Sequence, residues 1–114
     1  ANTTLTNTNI STALTQGSGQ TYLYNFAAKL NSTTGARRFG LHLMASDVAA
    51  QERGNSYLVW FSADDQKVRI IETVNNVLNE RASASLSLSS GTWSDYKASY
   101  NSSTGTLNVY VNNA

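Results

Sequence analysis

The chain has 114 residues, no cysteine, no proline and a formal net charge of +1. That length suits one domain, expected to span 1–114 and to bury a modest core. Without cysteine there is neither a disulfide framework nor a thiolate metal site, and with 13% charged residues and only Arg37-Arg38 as an adjacent basic pair, no nucleic-acid partner is expected.

The first fifteen residues are polar, with sparse apolar points at Leu5, Ile10 and Leu14, and suggest a loose start with one weak edge strand. Gln16-Gly17-Ser18-Gly19 is a turn signal. Residues 21–30 then alternate, with Tyr22, Tyr24, Phe26, Ala28 and Leu30 on one face and Leu23, Asn25, Ala27 and Lys29 on the other. Period-two alternation of this kind predicts a half-buried strand. A second strand is predicted over 38–45, with Phe39, Leu41, Leu43 and Ala45 opposed to Gly40, His42 and Met44. A longer loop, with room for one helical turn, runs from Ser46 to Asn55.

The run Tyr57-Leu58-Val59-Trp60-Phe61-Ser62-Ala63 is apolar on both alternating sets. A strand with two covered faces, hence a central one, explains it best. Its β-branched and aromatic content, short length and flanking Gly54 and Asp64-Asp65 argue against a helix. Residues 67–73 form the next strand, with Val68 and Ile70 opposed to Arg69 and Ile71. Asn75-Asn76 then predicts a tight hairpin into 77–80, because asparagine tolerates positive φ. Ala84, Leu86 and Leu88 alternate with serines and predict a further half-buried strand. Residues 93–100 and 107–111 are the last two strands, joined by Asn101-Ser102-Ser103-Thr104-Gly105, and Trp93 is expected in the core.

No segment keeps a helical period, and turns recur about every 8–12 residues, as in antiparallel sandwiches and barrels. Ser, Thr and Asn make up roughly a third of the chain, well above ordinary usage. A surface kept soluble by neutral polar groups is expected to be extracellular or on the cell surface. No apolar stretch is long enough to span a membrane as a helix.

Several stretches together resemble a laminin-G/concanavalin-A-like jelly-roll module of large secreted Bacteroidota-type proteins. They are Gly40-Leu41-His42-Leu43, the run from Arg53-Gly54-Asn55 to Phe61, Lys67-Val68-Arg69-Ile70, Val74-Asn75-Asn76-Val77, Gly91-Thr92-Trp93 and the hairpin from Thr104 to Asn112. The resemblance covers most of the chain from Thr21 on. It implies an all-β, antiparallel two-sheet jelly-roll sandwich and a role in carbohydrate binding, in adhesion or as a spacer beside enzymes. Such modules continue past Val109-Tyr110-Val111 into a partner strand. The expectation is therefore a sandwich open to a missing final strand, whose strand near Leu107 to Asn113 lies on an edge or meets another protein chain.

Catalysis finds little support in the residues. There is one histidine, and no nucleophile elbow, phosphate loop or His-Glu-x-x-His motif. No strand carries two acids at alternate positions, as a glycosidase of this fold would need. The expected function is a non-catalytic carbohydrate-binding or adhesion module with a glycan or polysaccharide as partner. The alternative is a structural or filament-forming β-domain that assembles through an open sheet edge.

If Phe26, Phe39, Tyr57 and Val68 face the core, Asn25, His42, Trp60 and Arg69 share the opposite face. An aromatic ring can stack on the apolar face of a sugar, while amides and guanidinium groups hydrogen-bond its hydroxyls. The competing reading makes Trp60 second-face core with His42 filling space beside it. Arg53 is either a ligand clamp or a loop-fixing residue bonded to carbonyls or carboxylates. No cofactor is expected. Calcium is the one metal for which Asp47, Asp64 and Asp65 offer oxygen ligands, although no compact calcium-loop spacing is present.

Overall fold

The structure, a computed structural model, describes residues 11–112. Leu5, Ile10 and most of the weak N-terminal strand expected from the sequence lie outside those residues, as does Asn113. Residues 11–15 form no strand and leave Leu14 61% exposed.

Seven strands follow one another: β1 (Thr21–Ala28), β2 (Arg38–Leu43), β3 (Ser56–Ser62), β4 (Lys67–Val74), β5 (Val77–Ser85), β6 (Ser94–Asn101) and β7 (Thr106–Val111). They form a four-stranded sheet, β2-β3-β4-β5, and a three-stranded sheet, β1-β6-β7, with every pair antiparallel. The chain divides into two compact units along the same line, Thr34–Ser89 around the first sheet and Thr12–Thr33 with the residues from Ser90 on around the second.

In the larger unit β3 is paired along its whole length on both sides. Val59, Phe61 and Ala63 on one face and Leu58 on the other are all buried. Phe39 and Phe61 pair directly across β2 and β3 and stack at 5.1 Å between ring centroids. Burying each such side chain contributes about 1.5–3 kcal/mol. The β4–β5 turn is the tight hairpin expected, with Asn75 and Asn76 both at positive φ.

That turn is fastened to the 46–55 loop. Asn76 N–H donates to the Gly54 carbonyl (2.9 Å), Gly54 N–H to Asn76 Oδ1 (2.9 Å) and Asn75 N–H to Asn55 Oδ1 (2.7 Å). Gly54 itself sits at φ 70°, and a Cβ there would meet Ser46 Oγ at 2.4 Å. The loop is a series of turns held by bonds such as Ala50 N–H to the Asp47 carbonyl, with no helical turn.

Three expectations are corrected. The two strands expected over 77–80 and 83–89 are one strand, β5, whose pairing with β4 shifts at Ile70/Ile71. This bulge absorbs an extra residue, so the alternation changes phase within one strand and reads as two. Residues 86–89 leave the sheet because Gln66 captures them: Leu88 N–H donates to Gln66 Oε1 (2.8 Å) and Gln66 Nε2 donates back to the Leu88 carbonyl (3.1 Å). Trp93 is 65% exposed and is not core.

In the smaller unit, Phe26 and Tyr96 pair across β1 and β6 and stack at 5.4 Å, with Tyr96 and Ala98 buried. Among the described residues β7 pairs with β6 alone and is an outer strand.

Phe61→Ala should lower unfolding stability by about 3–5 kcal/mol, because it removes a large side chain from a site too tightly held to collapse. Leu23→Ala, at a 56% exposed position, should change it by about 0.5 kcal/mol or less. Urea unfolding monitored by tryptophan fluorescence measures both.

Candidate functional site

Residues directly opposite in an antiparallel ladder share a face. The register aligns Gly40, Trp60 and Arg69 in one row across β2, β3 and β4, with Arg38, Ser62 and Lys67 in the next row and His42, Leu58 and Ile71 in the row on the other side. All of these side chains leave the sheet on the face opposite Phe39, Val59 and Phe61. Arg38, Trp60, Ser62, Asp65, Arg69 and Ile71 line a shallow, open depression of about 270 Å³ on it.

Each part has a local cause. Trp60 is half-buried, and its β2 neighbour is Gly40. A Cβ at Gly40 would fall 2.4 Å from the Val59 carbonyl oxygen and 3.1 Å from Leu58 Cδ1. Glycine therefore lets the two strands approach, with Leu58 Cδ1 lying over the place a side chain would take. Arg69, opposite Trp60, is held between two acids. Its terminal nitrogens donate to the Asp65 carboxylate, and its Nε donates to Glu80 Oε2 at 3.1 Å. Asp65 reaches Arg69 because the β3–β4 turn places it four residues earlier.

These contacts set the charges. The Arg69 guanidinium first, and then the Ser62 hydroxyl, stabilise the ionised Asp65 carboxyl and bring its pKa down to about 2. Arg69 is shifted upward by the same partnership. At the rim, Arg38 Nε donates to Asp64 Oδ2 (2.6 Å) and Arg37 N–H to Asp64 Oδ1 (2.8 Å). Chiefly through the Arg37 N–H, Asp64 too is held below the usual carboxylate range. The depression thus offers an indole, a branched aliphatic, a hydroxyl and matched pairs of guanidinium and carboxylate.

The sequence-derived residues divide. Trp60 and Arg69 line the depression. His42 shares the face but turns to Ser56, its Nδ1 lying 3.2 Å from the Ser56 hydroxyl oxygen. Burial, and then the positive charge of Arg53, lower its pKa. Arg53 sits in the 46–55 loop at φ 65° and donates from Nη1 to the Ala50 carbonyl, which is the loop-fixing role.

Asn25 does not share this face. It lies on β1 in the other sheet, opposite Lys97, because the alternation that placed it outward cannot say which sheet it belongs to. The calcium candidates are not grouped either. Asp64 and Asp65 are turned to arginines, Asp47 Oδ1 accepts from Ala49 N–H (2.9 Å), and among the described residues no three His, Asp or Glu side chains gather as a metal site.

Arg38, Ser62 and Ile71 were not singled out from the sequence, and Asp65 only as a calcium ligand. Ser62 stands two residues from Trp60, so its place on the same face was readable. The placement of Arg38 and Asp65 needed the β2–β3 register and the turn geometry.

No family model matches the sequence, and no curated protein matches it. Among solved structures, the carbohydrate binding module CBM66 from Bacillus subtilis superposes with a TM-score of 0.65 at 16% identity. The match covers 85% of this chain and 56% of that one, so the chain spans little more than half of that module. The fold is a β-sandwich. Its two antiparallel sheets, of four and three strands, match the all-β class expected from the alternation.

Two titrations check this account of the β-sandwich. Asp65 should titrate near 2 by carboxyl NMR, and Arg69→Gln should return it toward its ordinary 3.8. His42 has a folded pKa below its unfolded 6.5, so the unfolded chain takes up the proton first. Stability should therefore fall as pH drops below about 6.5 and on through the lowered folded value, and His42→Gln should remove that slope from urea-unfolding curves.

Proposed function

We propose that this chain is a non-catalytic carbohydrate-binding module that works outside the cell, and that its ligand sits in the Trp60 depression. The observation that carries the reading is the row Gly40-Trp60-Arg69, with Asp65 and Ser62 beside it. A half-buried indole lining the depression gives a sugar an apolar surface to stack on. Asp65 accepts hydrogen bonds from hydroxyls, and Arg69 and Arg38 donate to them. A carboxylate that is already ionised and held in place gives up little on binding.

The arginines around the depression each have a carboxylate partner, which suits a neutral glycan. A solved neighbour that is itself named a carbohydrate binding module supports the same reading. So does the Ser/Thr/Asn-rich composition, which favours the extracellular setting. The direction of the Asp65 shift suits an ionised hydrogen-bond acceptor and does not suit a glycosidase general acid, which must hold its proton near neutral pH.

The position of β7 favours a second reading, assembly through the outer edge of the three-stranded sheet, where among the described residues no further strand pairs with it. Light scattering over a wide concentration range separates the two. A mass that stays monomeric would remove the assembly reading.

A glycan array followed by calorimetry tests the first reading. Trp60→Ala and Asp65→Asn should each weaken binding about tenfold or more while the unfolding midpoint stays within a few degrees. Silence across neutral glycans, or unchanged affinity in both variants, would reject it. Turnover of any polysaccharide would reject its non-catalytic part.

A further inference from the structure

The three-stranded sheet carries a second surface with different chemistry. Its register aligns Leu23, Ser99 and Asn108 in one row and Asn25, Lys97 and Tyr110 in the next, with Ala27 opposite Asp95 beyond them. Leu23, Asn25, Ala27, Asp95, Asn108 and Tyr110 are exposed. Just past the strand ends the same alternation brings Lys29 and Trp93 together, the Lys29 ammonium lying 5.5 Å from the indole centroid. Trp93 keeps 65% of its surface in solvent even so. A large ring held this far out costs apolar exposure that folding does nothing to recover.

In residues 12–33 and 90–112 the charged side chains are Lys29, Asp95 and Lys97, and all three belong to this face. Two cations and one anion give it a formal charge of +1. Trp93 and Lys97 are four residues apart, which is roughly 13 Å along β6. That span suits successive units of an extended chain better than one small molecule.

We propose that the outward face of β1-β6-β7 binds an acidic polysaccharide. A uronic acid ring stacks on the open part of Trp93, its carboxylate meets the Lys29 ammonium, and a later unit of the same chain reaches Lys97, Asn25 and Tyr110. The cation–π contact holds Lys29 in position beforehand, so little side-chain entropy is lost on binding. This surface does not depend on the reading given to the Trp60 depression, and either can fail alone.

Calorimetric titration of the intact chain with oligogalacturonate, and with a neutral maltodextrin of similar length, tests the proposal. Oligogalacturonate should bind and weaken as salt is raised, through screening of exposed charges. Trp93→Ala should lower affinity about tenfold and Lys29→Gln several-fold, while Trp60→Ala leaves it unchanged. Both substituted residues lie at the surface, and the unfolding midpoint checks that folding is intact. Absence of binding, equal binding by maltodextrin, or equal affinity in wild type and Trp93→Ala would overturn it, the last showing attraction by charge alone.

Discussion

The candidate site depends on β3 being paired along both edges while both of its faces are needed. One face sends Val59 and Phe61 into full burial beside Phe39. The other sends Leu58 into burial and Trp60 only halfway. A strand fixed on both sides cannot slip by one residue, since a slip would exchange these two sets. The indole is therefore held by the same pairing that seals the phenylalanines, and a change that loosened the core would move the site with it. Gly40 lets β2 approach β3 closely beside Trp60.

Around that strand the charged residues act as fasteners. Asp64 ties the start of β2 to the β3–β4 turn through Arg37 and Arg38. Asp65 and Glu80 tie β4 to the turn and to β5 through Arg69. Arg81 and Glu72 form one more link between β4 and β5. Exposed pairs of this kind contribute roughly 0–1 kcal/mol each. Their larger effect is to hold donors and acceptors at fixed places around an aromatic ring, which is what recognition of a polyhydroxylated ligand requires. The uncharged bonds of the Gly54, Asn55, Asn75 and Asn76 cluster do the equivalent work at the far end of the sheet.

Much of this was legible in the residues. Alternation over 57–63 placed Trp60 opposite Phe61, and Asn75-Asn76 announced its hairpin. Legibility ended where the information is not local. Period-two patterning shows that Asn25 points outward but not which sheet carries it. A one-residue bulge in β5 turned one strand into two on paper. Trp93 was assigned to the core because large aromatic rings usually go there; its partner, Lys29, is 64 residues away in the chain. Asp64 and Asp65 offered the oxygens of a metal site, and only the fold shows that arginines already occupy them.

The most direct test follows the Trp60 indole N–H and the Arg69 Nε–H by 15N NMR while a neutral oligosaccharide that binds the chain is titrated in. The account predicts that these two signals shift together and saturate at the same concentration, with the amides of Gly40 and Ser62 moving alongside them. Saturable binding that leaves both signals unmoved, with shifts gathered elsewhere in the chain, would contradict it.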